Sequence, residues 1–156
     1  MKNLRTAILC AVLALGTLGV NAQNDVPVNQ PNYNKPRLFN NLPDRMVIGT
    51  DRMESLLSLS VGDPVSFTLT GSAAGQFNGE VISASTKYSN SIQTVVIRST
   101  NFSGATLTIS RVHNEEGNVS YTGRLLSIQH GDLLELKLQG TEYVLAKKGF
   151  YDLVNE

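Results

Sequence analysis

The sequence is poor in the residue types that carry catalysis, metal binding and base stacking. Its 156 residues include one cysteine, two histidines and no tryptophan, and aromatic residues make up 6% of the chain. Basic and acidic residues number 13 each, so the formal net charge is zero. That balance argues against a strongly basic nucleic-acid-binding protein and against an acidic disordered tail. The length is compatible with one domain.

The first 22 residues have the pattern of a secretory signal. Lys2 and Arg5 precede an apolar run over residues 7–20, and small residues follow before position 23. The run is shorter than the ~20 apolar residues that a membrane span needs. We therefore expect a cleaved signal over residues 1–22 and no membrane span afterwards. Cys10 lies in the middle of the run, away from the position that a lipoprotein cysteine takes.

Removal of this signal would leave 134 residues with 11 basic groups, 13 acidic groups and no cysteine. Such a protein has no disulfide, no thiol nucleophile and no thiolate ligand for a metal. Its fold must be stabilised by the hydrophobic core alone, which a chain of this length can supply. We expect a periplasmic or secreted monomer.

Residues 23–50 read as an extended leader. Four of the five prolines and six asparagines lie within residues 23–44, and both residue types disfavour helix and strand ladders. The later half is too apolar for a plain linker, so we expect it to pack on the domain or on a partner. Four of its apolar side chains are candidate contacts with a protein partner: Leu38, Phe39, Leu42 and Met46.

Residues 51–156 are predicted to form one domain that begins with a short helix. Asp51 and Glu54 have the spacing of a capping box, and Gly62 ends the apolar pattern, so we expect a helix over Asp51–Leu59. Alternation of apolar and polar residues, with short Gly/Asn/Asp-rich turns between the runs, then predicts seven strands. These are Pro64–Thr70, Phe77–Ser85, Ile92–Arg98, Ala105–Val112, Asn118–Gln129, Leu133–Leu138 and Thr141–Lys147.

These elements predict a mainly all-β fold. We expect a single antiparallel meander closed into a small β-barrel of about seven strands, with the short helix before the first strand, because closure removes exposed edges. A sandwich is the alternative. Gly79 and Gly123 lie within predicted strands and mark the places where bends or bulges are expected.

The sequence offers no set of residues for catalysis or for a metal. His113 and His130 lie at opposite ends of the predicted strand Asn118–Gln129, too far apart for a shared site. His130 and Asp132 are interpreted as parts of a tight turn in which Gly131 takes a positive φ. No catalytic motif is present. We expect a protein that is not an enzyme and that binds no cofactor.

Three arginines recur at a spacing of 13 residues on successive predicted strands: Arg98, Arg111 and Arg124. Arg98 and Arg124 lie on strands of the same direction, so they are expected two ladders apart at similar height. A structural role is favoured, either at the end of the barrel or in an ion pair with a carboxylate such as Glu80 or Glu135. A site for an anionic ligand is the alternative.

Parts of the sequence resemble known exported proteins. The signal ending Asn21-Ala22-Gln23 and the Pro/Asn-rich leader resemble exported proteins of the Bacteroidetes. Small β-domains that accompany secreted peptidases there, as pro-segments or as separate inhibitors such as the potempin-type β-barrel inhibitors, are similar over four segments: Phe77–Val81, Thr94–Ile97, Tyr121–Arg124 and His130–Leu136. The resemblance covers roughly half the chain and implies a secreted peptidase as the partner.

The predicted function is therefore non-catalytic binding, and the specific hypothesis is inhibition of a secreted peptidase by a preformed scaffold that presents an extended strand. A structural or accessory protein of the cell envelope is one alternative. A carrier of a small apolar ligand inside the barrel is another.

Overall fold

The structure is a computed structural model that describes residues 34–70 and 75–150 of the chain. The predicted signal segment 1–22, the leader residues 23–33, the loop 71–74 and the tail 151–156 lie outside the described residues.

Within the described ranges the chain forms one short helix and eight strands. In chain order they are β1 (Arg45–Val47), α1 (Thr50–Leu57), β2 (Pro64–Thr68), β3 (Gln76–Lys87), β4 (Ile92–Ser99), β5 (Thr106–His113), β6 (Val119–Ser127), β7 (Asp132–Gln139) and β8 (Glu142–Gly149). The predicted helix and all seven predicted strands are present, with ends displaced by at most two residues.

The eight strands form one antiparallel sheet with the order β1-β8-β7-β6-β5-β4-β3-β2. The predicted meander is confirmed from β2 to β8. The prediction of a closed barrel with about seven strands is wrong in two respects. The leader adds an eighth strand, β1, beside β8, and the sheet curves into an open half-barrel in which no ladder joins β1 to β2 among the described residues.

The concave face of the sheet carries the hydrophobic core. Strand residues alternate between buried and more exposed positions, as a period of two requires when one face is covered. The register aligns one buried residue from each of five strands in a row of cross-strand neighbours, and such pairs are the unit of sheet stabilisation. The row consists of Val81, Ile97, Leu107, Leu125 and Leu134.

Helix α1 fills the concave side and explains why the sheet stays open. Its buried side chains, Met53, Leu56 and Leu57, belong to the same core as the strands, and the helix contacts β4 and β5. Burying an apolar side chain of this size contributes about 1.5–3 kcal/mol. The sheet therefore covers its apolar face with the helix, without closing on itself.

The predicted capping box is wrong, although the helix is present. Gly49 is the N-cap, and no side chain of the described residues caps the helix. Glu54 instead extends to the sheet, where Arg111 and Tyr121 bind its carboxylate. The Glu54 carboxylate thus binds a cation and a hydroxyl from distant strands, in place of the nearby backbone amide that it would accept from in a capping box.

The described half of the leader is part of the folded domain. Phe39, Leu42 and Met46 are buried in the core, and Phe39 makes an edge-to-face contact with Phe102 at 5.7 Å between ring centroids. Strand β1 pairs with β8 through Arg45↔Ala146, Met46↔Leu145 and Val47↔Val144. The later half of the leader thus packs on the domain, which was one of the two possibilities that its composition indicated.

Asp132 holds the start of this leader segment against the sheet. Its buried carboxylate accepts hydrogen bonds from the backbone amides of Leu38 and Phe39, and Arg37 lies 3.4 Å away as an ion-pair partner. The guanidinium of Arg37 also donates to the Gly131 carbonyl at 2.7 Å. Burying the carboxylate is tolerated because it is fully engaged by these donors.

Gly79 and Gly123 lie where neighbouring strands come too close for a side chain. A Cβ on Gly123 would lie 2.3 Å from the Thr108 carbonyl oxygen, and one on Gly79 would lie 2.6 Å from that of Arg98. The register of β3 shifts between Val81 and Ser83, just after Gly79, and β6 pairs with β7 only from Gly123 onward.

Replacement of Gly123 by alanine should destabilise the protein by about 1–3 kcal/mol, because overpacking forces backbone shifts. Urea unfolding of Gly123→Ala and of Thr122→Ala, an exposed neighbour on the same strand, provides the comparison. Equal stability of the two variants would contradict the close approach of β5 and β6.

Replacement of Asp132 by alanine should release the leader from the sheet. We expect a loss of about 1–3 kcal/mol for each backbone amide that is left buried without an acceptor. Hydrogen exchange should accelerate at the amides of Leu38 and Phe39, and Asp132→Asn, which keeps one acceptor oxygen, should lose less. Unchanged exchange at these two amides in Asp132→Ala would show that the carboxylate does not hold the leader.

Candidate functional site

The candidate site is the seam, which we define as the gap between β1 with Ile48 on one side and β2 with Leu69 on the other. Two adjoining depressions occupy it, with volumes of about 540 Å³ and 490 Å³. They share Val47, Thr68 and Leu69 as lining residues. The larger one also reaches the start of α1, at Asp51 and Arg52.

The β1 side of the seam presents backbone groups that pair with no strand in residues 34–70 and 75–150. Lys147 donates its amide hydrogen to the Asp44 carbonyl at 2.9 Å, and Ile48 donates to the Tyr143 carbonyl at 3.0 Å. In an antiparallel pair the hydrogen-bonding residues alternate along the strand. The peptide groups of the intervening Arg45 and Val47 therefore point away from β8 and into the seam.

The β2 side presents the complementary set. Leu69 donates its amide hydrogen to the Gly75 carbonyl at 2.7 Å, so Phe67 and Leu69 face β3 by the same alternation. The peptide groups of Ser66 and Thr68 then face the seam. Over the described ranges, no backbone hydrogen bond connects β1 and β2. Two strand edges with donors and acceptors thus face one gap.

The side chains at the seam are mixed in character, with apolar residues beside polar ones and a basic excess among the described residues. Val47 is 55% exposed, and the guanidinium of Arg52 lies 5.8 Å from the ring centroid of Phe67. Of the described residues that line the seam, two are basic, Arg45 and Arg52, and one is acidic, Asp51. Within the described part of the chain, none of these three forms an ion pair.

A polar cluster of Glu54, Gln93, Arg111 and Tyr121, here called the Glu54 cluster, joins α1 to the sheet. The two terminal nitrogens of Arg111 donate to Glu54 Oε2 at 2.7 Å and to Gln93 Oε1 at 2.8 Å. The Tyr121 hydroxyl donates to Glu54 Oε1. Gln93 also donates to the carbonyl of Leu57 at 2.7 Å, so β4, β5 and β6 all contact the helix.

Burial and the neighbouring Glu54 carboxylate raise the pKa of Tyr121 to about 12. Burial is the larger cause, since it penalises the charged phenolate, and the Glu54 charge and hydrogen bond act in the same direction. The hydroxyl therefore remains protonated near neutral pH and serves as a hydrogen-bond donor to Glu54. This arrangement stabilises the helix–sheet contact.

The structure separates the three predicted arginines. Arg111 lies on the concave face and pairs with Glu54, a carboxylate other than the two suggested by the sequence. Arg98 and Arg124 are exposed on the convex face, two ladders apart, as their strand directions predicted. In register they lie opposite Glu80 and Glu135, respectively.

Glu135 is engaged by two lysines. Lys137 lies 2.8 Å and Lys148 3.2 Å from its carboxylate. These contacts, with that to Lys137 as the main cause, lower the pKa of Glu135. Because Arg111 lies on the concave face whereas Arg98 and Arg124 lie on the convex face, the three arginines do not share one anion site.

The residues predicted to contact a partner lie inside the fold. Phe39, Leu42 and Met46 are almost completely buried, and Leu38 packs against the same core. A partner could reach these side chains only if the leader left the sheet. Their role in binding stays a prediction, whereas their role in the core is observed.

The two histidines lie in separate places, as predicted. His113 ends β5, and Nδ1 of His130 lies 2.8 Å from the Ser127 hydroxyl in the turn before β7. Gly131 has a φ of +63°, which confirms the predicted turn. Among the described residues, no three His, Cys, Asp or Glu side chains are grouped closely enough to hold a metal ion.

Sequence reasoning missed the two features that matter most here. The partners of Asp132 lie more than 90 residues away, and those of Glu54 lie 57 and 67 residues away. No local sequence pattern predicts the contacts of Asp132 or those of Glu54. The seam had a weak signal, because Met46, Val47 and Ile48 form an apolar run in a leader that is rich in proline and asparagine.

No protein-family model, curated protein or solved structure matches this chain. No helix in residues 34–70 and 75–150 has the length and apolar character needed to cross a bilayer.

The raised pKa of Tyr121 predicts a loss of stability in alkali. The folded state holds this proton up to about pH 12, whereas the unfolded chain releases it near pH 10. The stabilising contribution is complete below pH 10 and is lost as the pH rises toward 12, because the folded state binds more protons in that window.

The midpoint temperature of thermal unfolding should therefore fall more steeply between pH 10 and 12 for the native protein than for Tyr121→Phe, which lacks the titrating group. Near-ultraviolet absorbance of tyrosinate provides an independent titration. Equal pH dependence of the two proteins would contradict the assignment.

Proposed function

We propose that this protein is a non-catalytic binding protein that acts by contact with another protein through the seam. One observation carries the proposal: two strand edges, whose outward backbone groups pair with no other strand of the described residues, face a groove of about 540 Å³. Exposed edges of this kind invite pairing with another chain.

The rest of the molecule supports a preformed site. The Glu54 cluster holds α1, and α1 supplies Asp51 and Arg52 to the seam. The Asp132 carboxylate holds the leader, which supplies β1. Because both sides are ordered by the fold, little conformational entropy is lost when a partner binds.

For the partner we propose a secreted peptidase, which the protein inhibits. The resemblance of segments in β3, β4 and β6, and of the turn and strand His130–Leu136, to β-domains that accompany secreted peptidases supports this choice, as does the predicted signal. Carriage of a small apolar ligand is less favoured, because the concave side is filled by buried side chains, including Phe77, Met53 and Ile109.

The test compares two exposed apolar residues, one at the seam and one remote from it. Val47→Asp places a charge in the seam, and Ile128→Asp places the same charge in the β6–β7 turn, where Ile128 is 64% exposed. The mature protein and both variants are mixed with secreted metallo- and serine peptidases, and residual activity is measured at near-stoichiometric ratios. We expect inhibition by the native protein and by Ile128→Asp, and its loss in Val47→Asp.

Capture of binding partners from a periplasmic or secreted fraction, with the protein as bait, distinguishes peptidase inhibition from the envelope-accessory function. Recovery of an envelope component by the native protein and by Ile128→Asp, but not by Val47→Asp, would support the envelope-accessory function and overturn the peptidase assignment. Equal capture of one partner by both variants would show that the seam is not the contact surface. Circular dichroism of each variant ensures that folded proteins are compared.

A further inference from the structure

We infer that the occupant of the seam is an extended, acidic and apolar segment of a partner polypeptide, which pairs with the free edge of β2 and completes the half-barrel. The inference rests on the proposed function and specifies what the seam recognises.

The arrangement of backbone groups favours a polypeptide over a small molecule. Ser66 and Thr68 on β2, and Arg45 and Val47 on β1, offer their peptide groups at the regular spacing of β-strands. An added strand satisfies such a row with its own main chain and gains specificity from alternate side chains. Strand β2 presents the longer edge, five residues against three in β1.

The groove beside this edge can take the inward-facing side chains of the added strand. Its lining includes Ile48, Phe67, Leu69 and Leu145, which are apolar and continuous with the core. Its volume of about 540 Å³ falls within the usual range of about 300–1,000 Å³ for binding pockets. An apolar residue at alternate positions of the segment would therefore be buried against the core.

The charge of the seam indicates which charge the bound segment should carry. In the described part of the chain, Arg45 and Arg52 line the seam without an ion-pair partner, and Asp51 is the one acidic residue among the described lining residues. Charge complementarity favours a carboxylate on the incoming strand and disfavours lysine or arginine there.

Pro64 restricts where along the edge of β2 an added strand can pair. It opens β2 and belongs to the alternate set that includes Ser66 and Thr68, where no amide is needed by β3. Proline on an edge strand limits pairing to the residues beyond it. The segment is thereby directed to Ser66 and Thr68, next to the groove.

The experiment uses the mature protein and three fluorescent peptides with the same alternating valine positions. One carries glutamate between the valines, the second lysine at the same positions, and the third a central proline in the glutamate background. We expect the glutamate peptide to bind at least about tenfold more tightly than either of the others, by fluorescence anisotropy.

Matched protein variants test the charges. Arg52→Glu and Arg45→Glu should each weaken binding of the glutamate peptide and favour the lysine peptide. Arg98→Glu, an exposed arginine of the convex face, should leave both affinities unchanged. Binding should also protect the amides of Ser66 and Thr68 from hydrogen exchange, whereas the already paired amide of Phe67 should change little.

Several results would overturn the inference. They are equal binding of the glutamate and lysine peptides, tight binding of the proline peptide, or binding without new protection at Ser66 and Thr68. Protection of these amides that depends on protein concentration, with dimers in sedimentation, would identify a second copy as the occupant. If peptides fail but Val47→Asp still abolishes inhibition, strand completion is wrong while the proposed function stands.

Discussion

The architecture depends on how the concave face of the sheet is covered. Helix α1 places Met53, Leu56 and Leu57 in the core, and burial of each of these three side chains contributes about 1.5–3 kcal/mol. The Glu54–Arg111 ion pair is partly exposed, and pairs of that kind contribute about 0–1 kcal/mol. Hydrophobic burial therefore holds the helix in place, while the Glu54 cluster fixes which way it faces.

A helix on the concave side removes the need for closure and leaves two strand edges open. Such edges carry a risk of aggregation that is reduced by short edge strands, charged residues and proline. All three are present here, since β1 has three residues, Arg45 lies on it and Pro64 opens β2. The same features that limit indiscriminate pairing also define which segment the seam can accept, so protection and recognition have one physical basis.

The elements of the fold were predictable because they follow local periodicity. Alternation identified β2 to β8, and the spacing of Met53, Leu56 and Leu57 identified α1. Strand β1 was missed because a three-residue strand in a Pro/Asn-rich leader carries no periodic signal. It forms because pairing with β8 coincides with burial of Met46. The capping box failed since Glu54 finds stronger partners in Arg111 and Tyr121, which are remote in sequence.

The sequence by itself determined strands β2 to β8, the helix, the order of the hairpins and the separation of the histidines, because these depend on neighbours a few residues apart. Tertiary structure decided the rest. Whether the sheet closes depends on where α1 packs, and the roles of Asp132 and Glu54 depend on donors that only folding brings near them. The seam exists because the two edge strands of the sheet, β1 and β2, line one gap without a ladder between them among the described residues, and no local pattern of residues encodes such a gap.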